Sequence, residues 1–102
     1  PSDTADVFIT GFQEGTGKHL GRMGALLTNY GKVGTGFDDD ARDWWQKMFD
    51  LHGIVWLNKQ IIEVEFMEWS QYGKFRHPVM KNHRVDKTSE SLGVTYETMF
   101  SV

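Results

Sequence analysis

Gly31-Lys32-Val33-Gly34-Thr35-Gly36-Phe37, followed at once by Asp38-Asp39-Asp40, decides the fold, because it carries the chain from a β ribbon into a helix. Upstream, Arg22 to Thr28 reads as a strand, and Asn29-Tyr30-Gly31 as a tight turn into Lys32-Val33-Gly34. Asn and Gly accept the positive φ that such a turn demands. Downstream, one of the three Asp carboxylates can cap free amides while the others favour the positive end of the helix dipole. Ala41, Trp44, Trp45 and Met48 then recur at i, i+3, i+4 and i+7, the stripe expected to face a core, and Gly53 is expected to end the helix.

Working outward, Val7-Phe8-Ile9-Thr10-Gly11-Phe12 is a β-rich run closed by the polar Gln13-Glu14-Gly15 turn. After a short irregular piece containing Trp56, Ile61 to Trp69 alternates, with Val64 and Phe66 pointing inward and Glu63 and Glu65 outward. Ser70-Gln71-Tyr72-Gly73 makes a turn into a last strand from Lys74 to Lys81, which Pro78 marks as an edge. Residues 88–102 lose periodicity and form a tail, on which Tyr96, Met99 and Phe100 could dock. The reading is therefore a mainly β domain over residues 1–87: a five-stranded Greek-key barrel with one helix between strands 3 and 4.

The chain of 102 residues holds one core, and its apolar content argues against disorder. It has no cysteine, hence no disulfide framework and no thiolate metal site. No apolar run is long enough to span a bilayer, and the first residue, Pro1, suggests an excised piece of intracellular origin, cytoplasmic or nucleoid-associated, viral or organellar.

Charge is uneven. The whole chain carries a formal net charge of -3, yet between Tyr72 and Lys87 seven of sixteen residues are Lys, Arg or His and only Asp86 is acidic. A basic edge on an acidic protein is the footprint of a polyanion site, although charge on an edge strand also serves to block aggregation.

Two motifs sharpen this. Phe75-Arg76-His77-Pro78 leads into Arg84-Val85-Asp86-Lys87, and Gly15-Thr16-Gly17-Lys18 leads through Gly24-Ala25-Leu26-Leu27 to Val33-Gly34-Thr35-Gly36-Phe37. In order and separation they resemble the C-terminal domain of ATP-dependent DNA ligases. The resemblance covers residues 7–87 and implies an oligonucleotide-binding (OB) barrel, a role in DNA repair or replication, and two partners: nicked duplex DNA and the ligase's nucleotidyltransferase domain. It implies that Arg84, Asp86 and Lys87 orient the pyrophosphate leaving group during lysine adenylylation. It places Arg76 and His77 near the nick, and basic or turn residues Lys18, Arg22, Lys32, Thr35, Gly36, Phe37 and Lys74 along the DNA. Some relatives have Phe where His77 stands.

The family's adenylylated lysine lies in a Lys-x-Asp-Gly motif, and none of the seven lysines here is in one. The chain is therefore expected to be a monomeric, non-catalytic module that does not ligate alone. ATP and Mg2+ belong to the parent enzyme, with no cofactor in this fragment. Other readings are an autonomous OB protein stacking single strands on Tyr30, Phe37 and Tyr72, the OB domain of an RNA capping enzyme or RNA ligase, or a protein-binding module. Gly15-Thr16-Gly17-Lys18 is no phosphate loop, since Phe12 and His19 replace required residues. The scattered His19, His52, His77 and His83 lack ligand spacing, so no metal site is expected.

Overall fold

Eight strands and one long helix make up residues 1–93, the part of the chain that the computed structural model describes. In order these are β1 (Asp3–Phe8), β2 (Gly11–Glu14), β3 (Met23–Thr28), β4 (Gly31–Val33), α1 (Asp39–Asn58), β5 (Ile61–Phe66), β6 (Glu68–Trp69), β7 (Phe75–Arg76) and β8 (Val79–His83). The strands pair antiparallel in three sheets, β1-β5-β8, β2-β3-β4 and β6-β7. Mainly β with a single helix is what the sequence led us to expect.

The strand count is higher because three long runs break. Val7 to Phe12 divides at Ile9-Thr10, where the chain leaves one sheet for the next and Ile9 is fully buried at the corner. Ile61 to Trp69 divides at Met67. The last run divides at His77-Pro78, since Pro78 has no N–H for a ladder and His77 sits at φ 54. Strand pairing gives three open sheets where one ring of five was expected. Backbone bonds join them at the corners: Thr10 N donates to Leu27 O (2.8 Å), Phe75 N to Tyr30 O (2.9 Å) and Met80 N to Thr35 O (2.8 Å).

The core fills from inward-facing strand residues, among them Val7, Met23, Leu26, Val33, Ile62, Val64 and Phe66. Helix α1 covers it and starts as its three Asp residues require: Asp38 Oδ1 accepts from Ala41 N at 2.7 Å. Its inward stripe, however, is Arg42, Trp45 and Phe49. Trp45 is 3% exposed and Trp44 41%, so Trp44 is not the core residue that its spacing suggested. Gly53 does break the helix (φ 80, ψ -173), but the helix resumes at once, and Trp56 is helical where an irregular piece was expected. The break turns Leu57 and Asn58 inward, and Asn58 Nδ2 donates to Ile9 O at 2.8 Å.

Residues 89–92 form a 3-10 turn with a capping box on Thr88, and Ser89 N donates to Lys59 O at 3.2 Å. Tyr96, Met99 and Phe100 lie outside the described residues. Among those residues no helix is long and apolar enough to cross a membrane.

Candidate nucleic-acid interface

The basic edge is built on the β6-β7 hairpin. Ser70 Oγ accepts from Tyr72 N (3.2 Å) and Lys74 N (3.1 Å), and Met67 N donates to Arg76 O, which closes the loop and aims its tip outward. Lys74 reaches Asn29 O with its ammonium (3.0 Å). Arg76 is exposed, with Glu68 only loosely beside it at 3.9 Å. His77 is exposed and has a left-handed backbone, φ 54. Beside these cations lie exposed aromatic rings. Tyr30 packs edge-on to Trp69 at 5.3 Å, and Tyr72 is 78% exposed. Trp69, 48% exposed, is not among the rings that the sequence offered for stacking, because alternation placed it in the strand without saying that its face is open.

A second group surrounds the glycine-rich turn. Lys18 stands exposed in the Gly17–His19 3-10 turn, and Lys32 of β4 lines an adjoining cleft together with Glu14, Thr16, His19, Gly34 and Arg42. Partial desolvation, then Arg42 and Lys18, lower the His19 pKa, consistent with a positive local field. Arg22 is differently placed. It is bound to the helix, with Nε 2.7 Å from Asp43 Oδ1 and Nη1 3.3 Å from Asp39 Oδ1, so α1 takes up much of its charge. The hydrogen bond to Asp43 raises its pKa further.

Thr35-Gly36-Phe37 is the joint between sheet and helix. Thr35 is exposed, and its carbonyl takes Met80 N. Gly36 has φ 98, and a Cβ there would collide with the Met80 carbonyl oxygen. Phe37 packs against the core with the Arg42 guanidinium 5.5 Å from its ring centre. Arg42, which the sequence did not single out, is 8% exposed and donates to Met23 O (3.2 Å), Gly24 O (2.8 Å) and Gly34 O (2.8 Å). No periodicity betrays an arginine that binds carbonyls through the core.

Arg84, Asp86 and Lys87 follow β8. Arg84 N bonds to Ile61 O (2.8 Å) and Lys87 N to Arg84 O (3.0 Å), which brings the two cationic side chains to one side. Both reach a residue from the other edge of the sheet. Arg84 Nη1 lies 3.0 Å, and Lys87 Nζ 2.9 Å, from the same oxygen, Asp6 Oδ2. Asp86 Oδ1 is 3.7 Å from Arg84 Nε. Asp6 had no signal in the sequence, since its partners lie far along the chain.

Residues 5–87 match the family model described as the ATP dependent DNA ligase C terminal region. No curated protein matches the chain. Among solved structures it is similar to Pmar-Lig_Pre., at 26% identity and TM-score 0.69 over 83% of this chain and 22% of that one. It also shares a fold with a Lig E DNA ligase described as binding DNA with a minimal scaffold (23% identity, TM-score 0.59, 82% of this chain and 31% of that one). A third likeness is the ligase domain of M. tuberculosis LigD (21% identity, TM-score 0.73, 87% and 37%). The chain thus spans between a fifth and two fifths of the length of these proteins. By the match over residues 5–87, this chain belongs to the family of ATP-dependent DNA ligase C-terminal regions.

Proposed function

We propose that this chain is the DNA-holding and leaving-group-facing module of an ATP-dependent DNA ligase, acting inside the cell with a nucleotidyltransferase domain that supplies the reactive lysine. The observation that carries the proposal is the pairing of Arg84 and Lys87, two cations held together within a family match that ends at Lys87. We read the three sheets as segments of one OB barrel, which the corner bonds Thr10–Leu27, Phe75–Tyr30 and Met80–Thr35 support.

In the parent enzyme the lysine amine would attack the α-phosphorus of ATP, the bond to the β-phosphate would break, and pyrophosphate would leave, with Mg2+ supplying further positive charge when bound. Charge builds on the departing oxygens, and cations placed there lower the barrier. Arg84 and Lys87 serve that step, with Asp86 orienting Arg84. Lys74, Arg76, His77, Lys18 and Lys32 serve the nicked duplex, holding phosphates in repair or replication. Thr35 touches the same strand, while Gly36, Phe37 and Arg22 set the positions of the others.

Step-resolved kinetics in the parent ligase test this. Lys87→Ala should slow self-adenylylation at least tenfold and leave sealing of a pre-adenylylated nick nearly intact. Arg76→Ala should do the reverse, weakening nick binding alone. Equal loss of both steps in Lys87→Ala would sink the assignment. A second reading, an autonomous single-strand binder, draws on the exposed Tyr30, Trp69 and Tyr72 beside Lys74 and Arg76. Tighter binding to single strands than to a nicked duplex would favour it.

A further inference from the structure

We propose that Asp6 is a built-in substitute for phosphate: it occupies Arg84 and Lys87 in this structure, and a polyphosphate binds there only by displacing it. This rests on the reading that Arg84 and Lys87 face phosphates. Three observations lead to it. One carboxylate oxygen takes both cations, at 3.0 and 2.9 Å, with Oδ1 adding 3.3 Å to Arg84. Those distances are the ones that a phosphate oxygen makes with the same donors.

The contact is also sheltered. Asp6 has 19% of its side chain exposed, and Arg84 and Lys87 31% and 35%, so solvent screens it less than an ordinary surface pair. Finally, both sides are anchored in backbone. Asp6 pairs with Glu63 of β5 inside the β1 ladder, and Arg84 N is bonded to Ile61 O of the same strand. With Asp86 beside Arg84, two cations meet two carboxylates, and this basic motif is locally neutral. Glu63, opposite Asp6 in the ladder, accepts from Asn82 Nδ2 at 2.6 Å and pairs with neither Arg84 nor Lys87.

An isolated or undocked module of this kind has low affinity for free polyphosphate, and the motif becomes a strong cation pair only where incoming phosphates outcompete Asp6. Asp6 is thus a gating residue: it touches the two functional cations and no reacting atom.

The probe is inorganic tripolyphosphate titrated into the 102-residue chain, followed by the Arg84 Nε and Lys87 Nζ resonances. Asp6→Asn should bind about fivefold tighter than wild type, the change expected for removing one unit charge a few ångströms from a bound anion in a largely aqueous setting. Adding Lys87→Ala should abolish the gain. Equal or weaker binding by Asp6→Asn at those resonances would overturn the gating role while leaving the phosphate-facing reading intact. If neither protein shifts Arg84 or Lys87, that reading falls and the gate with it. Should Asp6→Asn not fold, the wild-type chain decides. Its Asp6 carboxylate carbon must shift along the same isotherm as Lys87 Nζ, and an unmoved carboxylate at saturation refutes displacement.

Discussion

His77 is held at φ 54, a backbone state that costs a non-glycine residue about 1 kcal/mol or more, directly before a proline that further restricts it. Such strain persists where the surroundings fix it, and here they are an exposed loop in the basic edge. His77→Gly relieves the strain and should hold or raise stability, by roughly 0.5–1 kcal/mol in urea unfolding. If the ring contacts DNA, the same variant in the parent ligase should bind nicked duplex more weakly. A less stable variant would refute the strain, and unchanged binding would remove His77 from the DNA contact. The motif that contains His77 was legible in the sequence; its backbone state was not, because histidine before proline gives no expectation of a left-handed turn. Asp6 and Arg42 were illegible for a related reason. Each acts through partners distant in the chain, Arg84 and Lys87 for one and the carbonyls of Met23, Gly24 and Gly34 for the other.

Helix α1 illustrates how far a periodic pattern carries. Its existence, its start at Asp38 and its two adjacent tryptophans were readable, since capping and spacing are local. Which tryptophan is buried was not, because the charged Arg42 joined the inward stripe and rotated it by one residue. Trp45→Ala should therefore cost about 3–5 kcal/mol, and Trp44→Ala less, about 2 kcal/mol, since only part of its ring is covered. Thermal melts of the two variants side by side check this, and equal losses would restore the original stripe. The glycine-rich joint tells the same story. Gly36 was read from its motif as a DNA neighbour, whereas its positive φ and the closeness of Met80 give it a packing reason of its own.

For the molecule as a whole, pH is a direct lever through His83. It is half-buried against Trp44 and Trp45 and hydrogen-bonded to Gln60 Oε1 at 3.0 Å, while Gln60 Nε2 is spent on Trp56 O. Desolvation lowers its pKa below the usual 6.5. The unfolded chain then binds the proton more readily, so stability is full above pH 6.5 and declines as pH falls below it. Urea midpoints at pH 7.5 and 5.5 should differ in that sense, and His83→Gln should flatten the difference. An unchanged slope in His83→Gln would place the titration elsewhere. The overall architecture was readable to the level of mainly β strands plus one helix; the division into three sheets was not, since each break depends on where the chain changes partner.

The pairing of β1 with β5 joins the start of the domain to residues beyond its middle, with Phe8 opposite Ile61 and Asp3 opposite Phe66. During synthesis the first strand therefore emerges from the ribosome well before its partner exists, and it waits while β2, β3, β4 and α1 are made. A waiting strand with free N–H and C=O groups is a template for sticking to other nascent chains. Asp3 and Asp6 place two negative charges in that six-residue strand, which keeps it in solution until β5 arrives.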